Sequence, residues 1–226
     1  MTLLDDVRNT LAPNGSLRAA VNFGNAAVAW RDANGAPMGP AINLANGLSN
    51  ALGVTCDLVH YAAAGKVMDG LDQGEWDIAF LAIDPVRERH LAFSAPYLCI
   101  SACYMVCFDS PIQASKQVDA PGNRVAVGRG AAYDLHLTRT LQQAQIFRYP
   151  TASDAFKAFE DESLSAGAGV RDVVERYVAE RPHLRALRDD FLVIDQAVCL
   201  PRKDPEATQA CVQWINSFLN SSLCTN

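Results

Sequence analysis

Four charged side chains follow an apolar run in the first half of the chain. Asp84, Arg87, Arg89 and His90 come directly after the segment "WDIAFLAI", which ends at Ile83. An arginine guanidinium presents parallel N–H donors that match a carboxylate, and partial burial strengthens that pairing. The residue types alone leave two interpretations open: the cluster covers a solvated corner, or one of its cations faces an anionic ligand.

A second candidate is the segment "GRGAAYD", which joins a predicted strand to a predicted helix. A glycine turn that runs into a helix presents backbone N–H groups and the positive end of the helix dipole to an anion. Arg129, Gly130 and Ala131 belong to this turn. The alternative is that Gly130 only permits a tight turn.

The sequence lacks the patterns of common catalytic and metal sites. It has no Ser-His-Asp spacing, no phosphate-binding P-loop and no HExxH motif. The seven cysteines are an odd number without a close CxxC pair, so we expect no metal and no cofactor. Cys99, Cys103 and Cys107 share one face of a predicted strand, and we expect them to be reduced core residues.

The composition restricts the class of partner. With 226 residues, 50% of them apolar, the chain can bury a substantial core, and its net charge of -6 gives no basic field for nucleic acid or an anionic membrane. No apolar run is long enough to span a bilayer, and the first residues lack the features of a secretory signal. We expect a small-molecule ligand and no membrane insertion, and the localisation stays open.

Short β-rich runs alternate with helical runs along the chain, which is typical of an α/β protein with mainly parallel strands. One βαβαβ unit extends from "SLRAAVNF" to "WDIAFLAI", and a second series begins near residue 123. Each is followed by a further β-rich segment, "YLCISACYMVCF" and "FLVIDQAVCLPRKD". Two such strands that cross between the units would make a hinged clamshell with a cleft at the crossing.

We therefore predict a two-lobed α/β clamshell, in which each lobe is a mainly parallel sheet flanked by helices and two crossing strands form the hinge. Residues 1–107 and 192–226 are predicted to form lobe 1, and residues 108–191 lobe 2. The final helix is expected to pack through the apolar residues Ala210, Trp214, Phe218 and Leu219.

Several segments, in order, resemble the family-3 solute-binding proteins of ABC transporters, the polar amino-acid-binding group with the type II periplasmic binding protein fold. They are "GPAINLANGLSNALG", "LDQGEWDIAF", "RERHLAFSAPYL", "RVAVGRG" and "DQAVCLPRKDPEATQACVQWINSFL". The resemblance extends from about Ser16 to Leu223. It implies a monomeric binding protein with a ligand in the cleft, an ABC permease as a possible partner and a periplasmic location.

The resemblance also assigns candidate ligand contacts. Arg87 matches the family arginine that holds the ligand carboxylate, whereas Arg89 and His90 have no counterpart role and are expected to cover the corner. The place after the first strand, where the family has a ligand contact, is taken by Asn22, Phe23 and Asn25. Further candidates for the cleft are Asp84, Tyr133 and Gln196.

The family's usual amino-acid pocket is incomplete in this chain. Ala82 and Ala131 stand where the family has small hydroxyl residues, and Arg171 lies where an aspartate commonly receives the ligand ammonium. An unpaired buried ammonium costs several kcal/mol, so a zwitterionic amino acid is disfavoured. We expect an anionic ligand with two acidic groups, held by Arg87 from one lobe and by Arg171 or Arg129 from the other.

The resulting functional hypothesis is a solute-binding protein that closes over a small carboxylate-bearing ligand without chemistry on it. The alternative is an enzyme on the same scaffold, similar to the cyclohexadienyl dehydratases, which requires a general acid in the cleft. Asp84, His90 and His136 are the candidates for that acid. A sensor or protein-interaction module is a third possibility.

Overall fold

The computed structural model describes residues 2–223. This part of the chain contains seven α-helices and eleven strands. The helices are α1 (Leu3–Leu11), α2 (Pro40–Leu52), α3 (Ala64–Asp72), α4 (Ala132–Thr140), α5 (Ala152–Asp161), α6 (Arg171–Ala179) and α7 (Pro205–Leu223). The strands are β1 (Ser16–Asn22), β2 (Trp30–Arg31), β3 (Pro37–Met38), β4 (Thr55–Tyr61), β5 (Ile78–Ala82), β6 (Leu91–Cys107), β7 (Arg124–Gly128), β8 (Gln145–Tyr149), β9 (Ala166–Val170), β10 (Leu184–Ala186) and β11 (Leu192–Pro201).

One sheet runs through the whole molecule, in the strand order β4-β1-β5-β11-β6-β9-β7-β8, with β10 beside β6. At one end β4, β1 and β5 are parallel, and at the other end β9, β7 and β8 are parallel. Between them β6 and β11 pair antiparallel over most of their length. The predicted two lobes with two crossing strands are confirmed, and the crossing strands join both lobes into one continuous sheet.

Each end of the sheet has its own apolar core. Around β1 and β5 the core includes Leu17, Val21, Leu48 and Ile78, which are all fully buried. Around β7 and β9 separate clusters form, which include Val125, Val127, Phe156 and Val174. Burial of these side chains is the main favourable contribution to folding. The exact residue at which each lobe begins and ends stays a prediction.

Local sequence signals account for the ends of two helices. Helix α2 ends before Gly53, whose φ of 66° lies in the left-handed region that favours glycine. Helix α5 begins after Thr151, which exchanges hydrogen bonds with Asp154 in a capping box. No helix within residues 2–223 is both long and apolar enough to cross a bilayer.

The buried face of α7 agrees with the predicted one in part, since Leu219 is buried as expected. Cys211, Ile215 and Leu219 are buried, whereas Trp214 and Phe218 are only partly covered and pack at the margin of the core. The short strands β2, β3 and β10 were not predicted, since pairs and triplets of residues give no periodic signal.

The three cysteines of β6 are not equally buried. Cys103 is fully buried, but Cys99 and Cys107 are exposed, so the prediction that all three are core residues is wrong for these two. Cys99 lies in the crossing part of β6, where the neighbouring residues are also poorly covered, and Cys107 ends the strand. Burial raises the pKa of the Cys103 thiol to about 12 and that of Cys199 to about 12.

Thiol labelling should follow this division. Because the thiolate is the reactive form, iodoacetamide at pH 8 should modify Cys99 and Cys107 quickly, and Cys103 and Cys199 only after unfolding in urea. Peptide mass spectrometry after timed labelling gives the rate at each site. Equal rates at Cys199 and Cys99 in the folded protein would contradict the buried position of β11.

Candidate functional site

A cavity of about 50 Å³ lies between the two lobes, beside the crossing strands. The first lobe contributes residues after β1, before α3 and at the end of β5, and the second contributes the turn after β7 and the starts of α4 and α5. Eight of the predicted site residues line it: Asn22, Asn25, Ala82, Arg87, Arg129, Ala131, Tyr133 and Gln196. The predicted candidates therefore converge from distant parts of the chain.

Arg87 is the central side chain of this cavity. It is only 2% exposed, although it lies on a short 3-10 turn rather than in a strand. Nη1 donates a hydrogen bond to the carbonyl oxygen of Ala82 at 2.9 Å, and Nη2 donates one to that of Gly130 at 2.9 Å. Nε is buried and has no hydrogen-bond partner in the structure. The guanidinium thus contacts both lobes and leaves its Nε–H without an acceptor.

No carboxylate among the described residues forms an ion pair with Arg87, although the charge of the nearby Asp84 favours the charged form of the guanidinium. Asp84 is bound instead to Arg139 at 2.7 Å. Burial lowers the pKa of Arg87, because desolvation disfavours the charged form. A buried cation without a counter-ion costs several kcal/mol. A buried guanidinium without an ion-pair partner therefore favours an anion in its neighbourhood.

The start of α4 forms the opposite wall. The Gly130 N–H donates to Asp134 Oδ2 at 2.8 Å and the Ala131 N–H to the Gly128 carbonyl, so the turn itself uses these donors internally. Gly130 has a φ of 70°, as the tight-turn interpretation requires. The next two amides, of Ala132 and Tyr133, have no acceptor among the described residues. The backbone N–H groups without an acceptor therefore belong to the two residues that follow the predicted turn of Arg129, Gly130 and Ala131.

Neutral polar side chains complete the cavity. Gln196 is 5% exposed, and its side-chain amide group has no hydrogen-bond partner within the described residues. It lies opposite Ala82 on β5, where the pairing of β11 with β6 shifts register, and such irregularities redirect side chains. Asn22 Oδ1 accepts the Gly24 N–H at 2.9 Å, and Asn25 Oδ1 accepts the Ala27 N–H. The remaining lining is mostly alanine and valine.

Four of the predicted site residues lie elsewhere or contribute differently. Arg171 is outside the cavity, because its guanidinium is bound by Asp190 and Glu175. Phe23 faces a neighbouring surface pocket and lies under the guanidinium of Arg31. Asp84 is occupied by Arg139, and Gly130 contributes its carbonyl oxygen to Arg87 rather than a surface of the cavity.

The residues that sequence reasoning missed are small or apolar. Ala62, Ala63 and Ala64 bring the start of α3 to the cavity, and Ile194 reaches it from β11. The run "AAAG" before α3 was an available signal, since consecutive small residues let another backbone approach closely. Within residues 2–223 no group of three or more His, Cys, Asp or Glu is arranged to hold a metal ion.

The two lobes touch at two glycines. A Cβ atom on Gly65, in the first turn of α3, would lie 2.6 Å from the carbonyl oxygen of Arg129, and one on Gly130 would lie 2.7 Å from the Cα of Gly65. Both distances are too short for a real side chain. The lobes can approach this closely only because both positions are glycine.

The sequence matches the family of bacterial extracellular solute-binding proteins, family 3, over residues 17–223. Its fold is also similar to solved structures. Holo ArgBP from T. maritima has 21% identity and a TM-score of 0.79, with 94% of this chain and 92% of that chain covered. An ancestral amino acid-binding protein, a precursor of cyclohexadienyl dehydratase, has 24% identity and a TM-score of 0.76, with 99% and 95% covered.

A third similar structure is a putative ABC transporter binding component from Wolinella succinogenes, complexed with lysine. It has 20% identity and a TM-score of 0.75, with 92% of this chain and 90% of that chain covered. At these identities the likeness establishes the type II periplasmic binding protein fold.

Substitution of Gly65 by alanine should keep the lobes apart. Alanine is favoured over glycine in a helix by about 1 kcal/mol, so the free energy of unfolding should not fall, whereas the added methyl group collides with Arg129 on closing. Small-angle X-ray scattering should therefore show a larger radius of gyration for Gly65→Ala than for the wild type. An unchanged radius with unchanged stability would contradict the close contact.

Proposed function

Because the chain belongs to family 3 of the bacterial extracellular solute-binding proteins, we propose that it binds a small carboxylate-bearing solute between its lobes through Arg87. The observation that carries this proposal is the guanidinium itself, which is buried, has no acidic partner and keeps Nε–H unused. A carboxylate oxygen beside Nε would supply the missing charge and acceptor.

Closure of the lobes is the mechanism in this proposal. One carboxylate oxygen accepts from Arg87 of the first lobe, and the free amides of the second lobe belong to Ala132 and Tyr133, which line the same cavity. The ligand then contacts both lobes only when they are together, so it stabilises the closed state by its differential affinity. No covalent step on the ligand is required.

The charges around the cavity favour an anion over a cation. The lining contains two arginines, Arg87 and Arg129, and none of the lining residues within the described chain is Asp or Glu. Asp172, the nearest acid in sequence to the usual ammonium site, is exposed and does not line the cavity. A buried ammonium would therefore have to rely on neutral acceptors such as the Gln196 oxygen.

The expected ligand is smaller than the one proposed from sequence. Arg171 is engaged by Asp190, and Arg129 is exposed, so Arg87 is the one buried cation among the described residues that line the cavity. A cavity of about 50 Å³ is also well below the several hundred Å³ of typical drug-sized sites. We therefore favour a small monocarboxylate over a ligand with two acidic groups.

An amino acid is the second candidate ligand. It is favoured by the relatives, of which one structure is complexed with lysine and another is an ancestral amino acid-binding protein. The carboxylate of an amino acid would use the same Arg87. The two candidates differ in the ammonium group, which only the amino acid has to accommodate.

The dehydratase alternative has little support from the cavity. Asp84 is bound by Arg139, His90 is exposed, and His136 stacks at 6.2 Å on Phe191. None of the three lines the cavity. A general acid must reach the reacting group within hydrogen-bond distance, so we propose a binding protein and not an enzyme. An ABC permease as partner, a monomeric state and a periplasmic location remain part of this proposal.

The variant Arg87→Met tests the proposed ligand contact. A thermal-shift screen of acetate, pyruvate, malonate, benzoate, glutamate, lysine and arginine should show stabilisation of the wild type by the monocarboxylates, and none of Arg87→Met. Affinity should fall at least 100-fold, because the charged hydrogen bonds are lost. Without ligand the variant should remain folded, since removal of an unpaired buried charge offsets the two lost hydrogen bonds.

The matched control is Arg89→Met, at an exposed arginine two residues away that does not line the cavity. Its ligand response should equal that of the wild type. Stabilisation by lysine or arginine but not by acetate or pyruvate would exclude the monocarboxylate in favour of the amino acid. Equal responses in Arg87→Met and the wild type would exclude Arg87 as the ligand contact altogether.

A further inference from the structure

Three arginine–aspartate ion pairs of nearly equal exposure lie at different places in the fold. Arg18 binds Asp77 beside β1 in the first lobe, and Arg148 binds Asp134 beside β7 in the second. The third pair, Asp84 with Arg139, joins the loop after β5 to α4 and therefore crosses from one lobe to the other. We propose that the Asp84–Arg139 pair is a latch that stabilises the closed cleft and holds Arg87 in place, independently of the ligand.

The contact geometry is that of a specific pair. Arg139 Nη2 lies 2.7 Å from Asp84 Oδ2, and Nη1 lies 3.3 Å from Oδ1, so the guanidinium meets the carboxylate with both ends. Asp84 is only 4% exposed. Two-point contacts of this kind fix the relative orientation of the groups that carry them as well as their distance.

Asp84 also shapes the turn that carries Arg87. Its Oδ1 accepts the Val86 N–H at 2.8 Å, and its carbonyl oxygen accepts the Glu88 N–H at 2.9 Å. Arg87 lies between these two amides and donates to the Gly130 carbonyl of the second lobe. The carboxylate that Arg139 binds is therefore the one that orders the Arg87 turn, which makes Arg139 a positioning residue for the site.

The Asp84–Arg139 pair favours the closed state of the lobes over the open state. Asp84 is buried in this structure and has Arg139 as its ion-pair partner. We expect water to replace that partner once the lobes separate. A variant without Arg139 must bury an unpaired carboxylate on closing, which is costly. The intralobe pair Arg18–Asp77 is not separated by opening, so its loss affects folding and leaves the closing equilibrium unchanged.

This inference depends on lobe closure as in the proposed function, but not on which ligand is bound. It can therefore be tested on the full-length chain without ligand. Small-angle X-ray scattering of Arg139→Gln should show a more open molecule than the wild type. The matched control Arg18→Gln should lower the free energy of unfolding in urea and leave the radius of gyration unchanged.

The double variant Asp84→Asn/Arg139→Gln separates the charge effect from the loss of packing. It should be less open than Arg139→Gln alone, because no unpaired carboxylate has to be buried. Arg139→Gln should weaken the binding of acetate or pyruvate roughly tenfold, because more of the protein is in the open state. Arg18→Gln should bind both ligands as tightly as the wild type. Rising salt should open the wild type and have no effect on the double variant.

A radius of gyration in Arg139→Gln no larger than in Arg18→Gln would overturn the latch, whatever the ligand results show. Conversely, an opened Arg139→Gln in a protein that no carboxylate stabilises would support the latch and exclude the proposed ligand class. Urea denaturation followed by circular dichroism identifies a variant that fails to fold. If Arg139→Gln fails to fold, Arg139→Lys replaces it in the experiment. Lysine keeps the charge but loses the two-point contact, so the radius of gyration should lie between the wild-type value and that of an open molecule.

Discussion

The site depends on one buried cation, Arg87, which has no ion-pair partner within residues 2–223. Arg87 could have been paired with Asp84, only three residues away, but that carboxylate is taken by Arg139 of the other lobe. The guanidinium is instead held by two backbone carbonyls, which are weaker acceptors than a carboxylate. This arrangement costs stability, and in the proposed function an anionic ligand offsets that cost, as is common at sites where function and stability conflict.

Several features around Arg87 allow the two lobes to come close together at this residue. The antiparallel strands β6 and β11 run through the centre of the sheet and connect its two parallel halves. The register shift in β11 places Gln196 in the cavity. The glycines at positions 65 and 130 remove the side chains that would otherwise keep the lobes apart. In the proposed function, closing therefore combines backbone contacts, one ion pair and one ligand contact.

Much of the fold could be predicted from sequence, because it depends on local patterns. The alternation of strands and helices and the Gly53 stop signal are properties of short windows. The position of Arg87 in the cleft followed from the resemblance of "RERHLAFSAPYL" to its family. The engagement of Arg171 by Asp190 could not be foreseen, since sequence shows that a cation is present but not which partner occupies it. The Asp84–Arg139 pair joins residues 55 positions apart and has no local signal at all.

We propose that Arg87 Nε–H is the donor that an anionic ligand uses, and NMR observes this group directly. The Nε–H signal of Arg87, assigned by its loss in Arg87→Lys, should move downfield and exchange more slowly with water when acetate, pyruvate or glutamate is titrated into the full-length chain. The signal of an exposed arginine such as Arg89 should not change. If carboxylates bind and the Arg87 signal stays where it is, or if none of them moves it, the account of this cavity as an anion site is contradicted.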